Sequence, residues 1–152
     1  METKNELSAG GIVYKKVDGK ILWLICQHSQ HKGWVFPKGL IGDNTKDERM
    51  EEAALREVEE EGGVKAKIIH KNPIKIVYKY QWKDSPHGGT AGKNILVNKT
   101  VYYFLMEYVS GDPKNHDWEM SDAKFVPEEE IKKTLTYPSD KEAFERILLL
   151  MT

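Results

Sequence analysis

Residues 42–64, GDNTKDERMEEAALREVEEEGGV, carry nine acidic and three basic side chains, and Glu59, Glu60 and Glu61 crowd the end where a helix tolerates them least. The segment is marked as a helix over residues 45–61. Thr45 and Glu48 are spaced as a capping box, Ala, Leu, Glu and Arg fill the interior, and Gly62-Gly63 suits a left-handed cap. With Met50 at zero and about 100° per residue, Ala53, Ala54 and Val58 lie within about 80° and form the inward face. Glu57 and Glu61 fall at about −20° and +20°, in the middle of that face. Glu48, Glu52 and Glu59 lie opposite and suit a solvated surface, and Glu60 sits on a flank. Arg56, on the flank opposite Val58, is spaced to pair with Glu60 at i+4, either to fix that carboxylate or as an ordinary surface ion pair.

Burying two like charges is costly unless a cation or a proton compensates. Three glutamates in the last turn also oppose the negative end of the helix dipole, each by roughly 0.3–1 kcal/mol. A hard divalent cation removes both objections, because carboxylates spaced i, i+3 and i+4 can share magnesium, which keeps waters and recruits substrate phosphates.

The flanking sequence is strand-rich. Residues 7–15 and 21–27 are rich in β-branched and aromatic residues on either side of Asp18-Gly19 and predict a hairpin. A short apolar piece at 34–36 stops at Pro37-Lys38-Gly39. Strands are expected at 65–69 and 74–82, then a Gly-, Ser- and Pro-containing loop at the edge of a site. Residues 99–109, KTVYYFLMEYV, are too continuously apolar for anything but a central strand buried on both faces. A short strand at 123–126 precedes helices that start at Pro127 and after Pro138. The order suggests a mixed sheet covered by helices on both faces, in one domain over residues 1–152.

Formal net charge is −1 with 31 % charged residues, so no global field recruits nucleic acid or an anionic membrane, and neither partner is expected. Cys26, the only cysteine, excludes an internal disulfide and suits a reducing compartment. No apolar run approaches the roughly twenty residues of a membrane span, and a cytoplasmic location is the expectation.

Gly42, five residues, Glu48, seven residues and then Arg56-Glu57-Val58-Glu59-Glu60-Glu61-Gly62-Gly63-Val64 resembles the Nudix box, the signature of magnesium-dependent hydrolases of diphosphate linkages. SAGGIVY, WVFPKG, the aromatic strand and PEEEIKKTL extend the likeness over most of the chain, toward members acting on dinucleoside polyphosphates and diphosphoinositol polyphosphates. The resemblance implies an α/β fold, an α/β/α sandwich with a central mixed sheet. It implies Glu57 and Glu61 as ligands of magnesium, with manganese as the alternative metal, and Glu60 as a further ligand or the base that deprotonates water. Glu119, in a late loop, is the candidate for an added ligand or the base. One departure concerns the glycine whose carbonyl often binds metal in this family: Gly39 follows Pro-Lys three residues too early, and Gly42 holds the register of the box. Gly39 is favoured, because Pro37-Lys38 fixes the chain before it and the extra residues can bulge after it.

Lys32, Lys38 and Lys99 are the basic residues near the loops. Lys99-Thr100-Val101 is similar to the strand of diadenosine-tetraphosphate hydrolases whose lysine lies near the polyphosphate. These lysines suit a linear polyphosphate and make a thin cradle for a highly phosphorylated inositol. Trp34, Tyr80, Trp82 and Tyr103 are candidates to stack on adenine, although aromatics on strands are more often core. The five histidines lack joint metal-ligand spacing and suit surface or loop positions. The expected activity is asymmetric cleavage of a dinucleoside polyphosphate to a nucleoside triphosphate and a monophosphate. The alternatives are a nucleoside triphosphate, a diphosphoinositol polyphosphate or an RNA 5′ end as substrate, and a nucleotide-binding regulator without activity. An intact Arg56, Glu57, Glu60 and Glu61 speaks against the regulator.

Overall fold

The computed structural model describes residues 2–42, 46–83 and 94–152. In chain order its elements are β1 (Glu2–Val17), β2 (Lys20–His28), β3 (Trp34–Val35), β4 (Lys38–Leu40), α1 (Met50–Gly62), β5 (Val64–Ile68), β6 (Ile74–Lys83), β7 (Asn94–Gly111), β8 (Met120–Pro127), α2 (Glu128–Thr134) and α3 (Pro138–Leu150). The β1–β2 hairpin closes with Val17 opposite Lys20. Asp18 and Gly19 between them take φ of 52° and 79°, the positive pair that a two-residue type I′ turn requires.

β7 is the axis of the sheet. It pairs in parallel with β1 from Glu2↔Ile95 to Tyr14↔Glu107 and antiparallel with β5 and β6. The path runs β3-β2-β1-β7-β5, with β4 added on β1, β6 on β7 and β8 on β2, so the sheet is mixed. Period-two alternation sends Ile12, Trp23, Ile25, Tyr103 and Leu105 into the core formed with Ile131 of α2 and Phe144 and Ile147 of α3. It sends Val13, Leu24, Phe104 and Met106 to the core formed with Ala53, Ala54 and Val58 of α1. Tyr103 through Met106 are therefore buried in succession, as the unbroken apolar run predicts. The result is the α/β/α sandwich.

Three starts differ from expectation by five residues, one of them that of β7, which begins at Asn94 rather than residue 99. β1 begins at Glu2 rather than near residue 7, because its polar first residues pair with β7, a long-range partner that leaves no local apolar signal. α1 begins at Met50, after an extended Arg49 with φ −79° and ψ 158°, rather than at residue 45. Thr45 lies outside the described residues, as do His87 and most of the loop between β6 and β7. The C-terminal cap is as predicted: Gly63 is left-handed, φ 74°, and donates its N–H to the Glu59 carbonyl.

Phe144 meets Trp23 edge-on at 5.1 Å and lies 6.0 Å from Phe36, joining α3 to the sheet. Phe144→Ala is expected to destabilise the fold by about 3–5 kcal/mol, seen as a lower urea midpoint at unchanged slope.

Candidate functional site

The face of α1 that packs inward carries Glu57 and Glu61 with it, 5 % and 6 % exposed, while Glu59 on the opposite side is solvated. Glu61 accepts the backbone N–H of Lys38 at 3.1 Å. Burial, assisted by the carboxylates of Glu57 and Glu119 and opposed by Lys38, pushes its pKa up to about 8. Glu57 accepts from Arg56 Nη1 at 2.7 Å.

Arg56 is the hub of this turn. Its Nε and Nη2 donate to the two oxygens of Glu48 at 2.7 and 2.9 Å, a bidentate pair, and Nη1 also reaches Glu60 at 3.2 Å. The i+4 pair with Glu60 is thus real but secondary. Glu48 corrects the solvated and capping-box readings. Its side chain is only 4 % exposed, lies before the helix, and accepts the Gly42 N–H at 3.0 Å besides Arg56. The guanidinium hydrogen bond holds the Glu48 carboxyl below its ordinary range despite burial, and in turn raises Arg56.

Glu57, Glu60 and Glu61 open on a cavity of about 260 Å³ walled also by Ser8, Lys38, Gly39, Leu40, Lys99 and Glu119. Glu119 is brought there by the segment before β8, where Asp117 N–H binds the Glu60 carbonyl at 2.8 Å and Ser29 N–H binds the Glu119 carbonyl at 2.9 Å. A Cβ at Gly39 would overlap the Glu57 carboxylate, so a larger residue there has to displace that carboxylate from its place in the wall. Gly42 is not part of this wall, and its N–H is already held by Glu48.

Among the described residues no three His, Cys, Asp or Glu side chains form a ready-made cation cage. Magnesium does not need one, since it is usually held by one or two carboxylates, with waters and substrate phosphates completing its shell. The donor set fits it. Hard carboxylate oxygens face the cavity, and Ser8 Oγ is buried in its wall with no hydrogen-bond partner among the described residues.

A second cavity of about 710 Å³ adjoins the first and is walled by His31, Val35, Lys38, Tyr78, Tyr80, Lys99, Tyr137, Pro138, Ser139 and Asp140. Lys38 and Lys99 stand in both walls. Tyr80 lines this second cavity, but Trp34 is in neither wall: half-buried, it packs on the core, with Lys124 Nζ 4.9 Å above its ring. Tyr103 is core, its hydroxyl donating to Asp140 at 2.8 Å, and the Trp82 side chain lies outside the described residues. Tyr78, Tyr137, His31 and Asp140 were not anticipated. Tyr78 was legible, two residues before Tyr80 on the same strand face. His31 is exposed in the turn between β2 and β3, as the surface-or-loop reading expects. It stacks on His28 at 4.2 Å, and its Nδ1 lies 2.9 Å from the Tyr137 hydroxyl. A groove of about 820 Å³ beside Ile21, Trp23, Leu148 and Met151 also carries Lys20, Glu128 and Glu129 but shares no residue with the carboxylate cavity.

A family model described as the NUDIX domain matches residues 4–147. A Mycobacterium tuberculosis protein named for the mutator protein MutT4 is 30 % identical over 151 residues, 95 % of this chain and 55 % of that protein. The chain thus spans about half the length of this curated relative. Among solved structures, C. elegans Ap4A hydrolase matches with a TM-score of 0.67 at 23 % identity, covering 97 % of this chain and 98 % of that one. The NUDIX domain of Shewanella oneidensis NrtR, complexed with ADP ribose, matches with a TM-score of 0.64 at 20 % identity, covering 97 % and 89 %. At these identities the structural likeness establishes the fold. No helix among the described residues is long and apolar enough to cross a membrane.

Glu61 links the site to stability. A carboxyl raised from 4.5 to about 8 on folding contributes stability below the lower value that is lost as pH climbs through the upper one. Chelator-treated protein is therefore expected to show a urea midpoint whose Glu61-dependent part falls between about pH 4.5 and 8, with that fall removed in Glu61→Gln and offset by saturating magnesium. A midpoint flat with pH in the chelated wild type contradicts this.

Proposed function

The chain belongs to the NUDIX family, and from that premise we propose that it hydrolyses a phosphoric anhydride of a nucleotide with magnesium or manganese held by Glu57, Glu61 and the Gly39 carbonyl. The substrate in this proposal is a dinucleoside polyphosphate such as diadenosine tetraphosphate, split to a nucleoside triphosphate and a monophosphate. The observation that carries the reading is the shared wall. Lys38 and Lys99 border both the carboxylate cavity and the tyrosine cavity, so one linear polyanion can run past them from the scissile end to a base among the tyrosines. The likeness to a C. elegans structure named as an Ap4A hydrolase supports the choice of substrate.

The cation, when bound, neutralises phosphate oxygens and lowers the pKa of a bound water. Arg56 fixes the carboxylates of Glu57 and Glu60 through one nitrogen, at 2.7 and 3.2 Å. Glu60, 47 % exposed at the rim, and Glu119 across the cavity are the two carboxylates suited to take the proton of the attacking water. Burial works against charge on Lys38, but Asp140, Tyr78 and Glu61 outweigh it and hold its ammonium above the ordinary pKa. Lys38 thus meets a phosphate as a full cation. Tyr78 and Tyr80, with ring centroids 6.3 Å apart, offer aromatic faces to the base.

Diadenosine tetraphosphate with magnesium is expected to give ATP and AMP, and Lys99→Ala is expected to raise KM and lower turnover. Glu57→Gln and Glu61→Gln should each lower turnover at least about a hundredfold, while Glu59→Gln leaves it within about twofold. Product chromatography on a nucleotide panel checks both. If the tetraphosphate and hexaphosphate stay intact while a nucleoside triphosphate is cut to pyrophosphate, the dinucleotide assignment is wrong. Equal losses in all three glutamate variants count against the metal assignment.

A further inference from the structure

We propose that Glu6, on β1, is a positioning residue of the substrate site: its carboxylate sets the Lys99 ammonium and the Tyr80 hydroxyl in the places from which they meet the substrate. The proposal rests on the assignment of Lys99 and Tyr80 to that site. The sheet register brings the three together. Parallel pairing puts Glu6 beside Lys99, and antiparallel pairing puts Tyr78 opposite Lys99 and Tyr80 opposite Val97. Glu6 Oε1 accepts from Tyr80 Oη at 3.1 Å and from Lys99 Nζ at 3.4 Å, while Oε2 faces Lys4 Nζ at 3.6 Å.

The Glu6–Lys99 pair is sheltered, with side chains 15 % and 12 % exposed, unlike Glu107–Lys67 at 29 % and 63 % on the same sheet. A sheltered pair is weakly screened, and deleting one member leaves the other charge buried without compensation. Lysine needs such a restraint, because its ammonium rides on four rotatable carbons. Burial and the nearby Lys38 and Lys4 depress the Lys99 pKa, and Glu6 is the group that opposes them.

Glu6 does not stand in either wall of the proposed substrate site. It lines a cavity of about 210 Å³ with Lys4, Tyr80, Ile95 and Val97, and Tyr80 is the side chain common to that cavity and the tyrosine cavity. Glu6 therefore acts through Lys99 and Tyr80. Its charge also decides between roles. Removing a negative charge near a polyanion favours binding, whereas releasing Lys99 harms the chemical step, so Glu6→Gln should separate kcat from KM.

The test is a double-mutant cycle on kcat and KM with wild type, Glu6→Gln, Lys99→Ala and the double variant, each normalised to folded protein by its thermal melt. The substrate is diadenosine tetraphosphate, or the nucleoside triphosphate that the wild type cleaves should it leave the dinucleotide intact. Glu6→Gln is expected to lower kcat at least about tenfold with KM raised no more than about twofold, and to change kcat less than about twofold once Lys99 is Ala. Wild-type kcat in Glu6→Gln, or losses that multiply in the double variant, overturns the proposal. A lowered melting temperature with kcat and KM unchanged does so too, since it makes Glu6 merely structural. Should Glu6→Gln fail to fold, Glu6→Asp, which withdraws the charge by one methylene, takes its place, with a loss of at least about threefold expected only where Lys99 is present. An active wild type with multiplying losses refutes the role of Glu6 alone. A wild type inert on every nucleotide refutes the proposed function and this inference together.

Discussion

Two carboxylates forced into the inward face of one helix are the constraint around which the rest of the site is arranged. Glu57 and Glu61 ride on the same turn as the buried Val58 and are only 5 % and 6 % exposed. The surroundings answer each differently. Arg56 ion-pairs with Glu57, while Glu61 has a backbone amide and a raised affinity for a proton. A cation that displaces that proton meets carboxylates already restrained by the fold, which lowers the entropy lost on binding it.

Arg56 also explains why the box begins so far before the helix. Its bidentate grip on Glu48, and the grip of Glu48 on the Gly42 amide, tie the chain ahead of α1 to the turn that bears the acids. The same guanidinium bonds the Leu40 carbonyl at the end of β4, so the strand carrying Lys38 and Gly39 is fastened to the helix carrying Glu57 and Glu60. Geometry that looks like a list of spaced letters in the chain is one hydrogen-bonded loop in space.

What was legible in the chain follows from the range of each interaction. The hairpin, the buried strand, the Gly63 cap and the sunken pair of glutamates depend on neighbours a few residues away, and periodicity exposes them. Glu48 misled because its partner is eight residues on and outside any helical spacing, so its letters matched a capping box equally well. Tyr137 and Asp140 reach the tyrosine cavity from the start of α3 and the residue before it, and Glu6 reaches Lys99 from the opposite end of the chain, through pairings that no local pattern encodes. Trp34 misled for the reverse reason: an aromatic beside the site is drawn by its size into the nearest core.

The parallel ladder between β1 and β7 carries a consequence for how the protein is made. Glu6 and Lys99 are 93 residues apart, and Tyr103 meets Asp140 across a further 37, so the contacts around the two cavities have high sequence separation. Loop-closure entropy must be met before any of them stabilises the chain. During synthesis from the N-terminus, β1 and β2 can zip and α1 can lie against them while β7 is still unmade, but β1 then presents an unpaired edge where its central partner belongs. The acids of α1 exist early, whereas the lysine and tyrosine walls that face them arrive only with the second half of the chain.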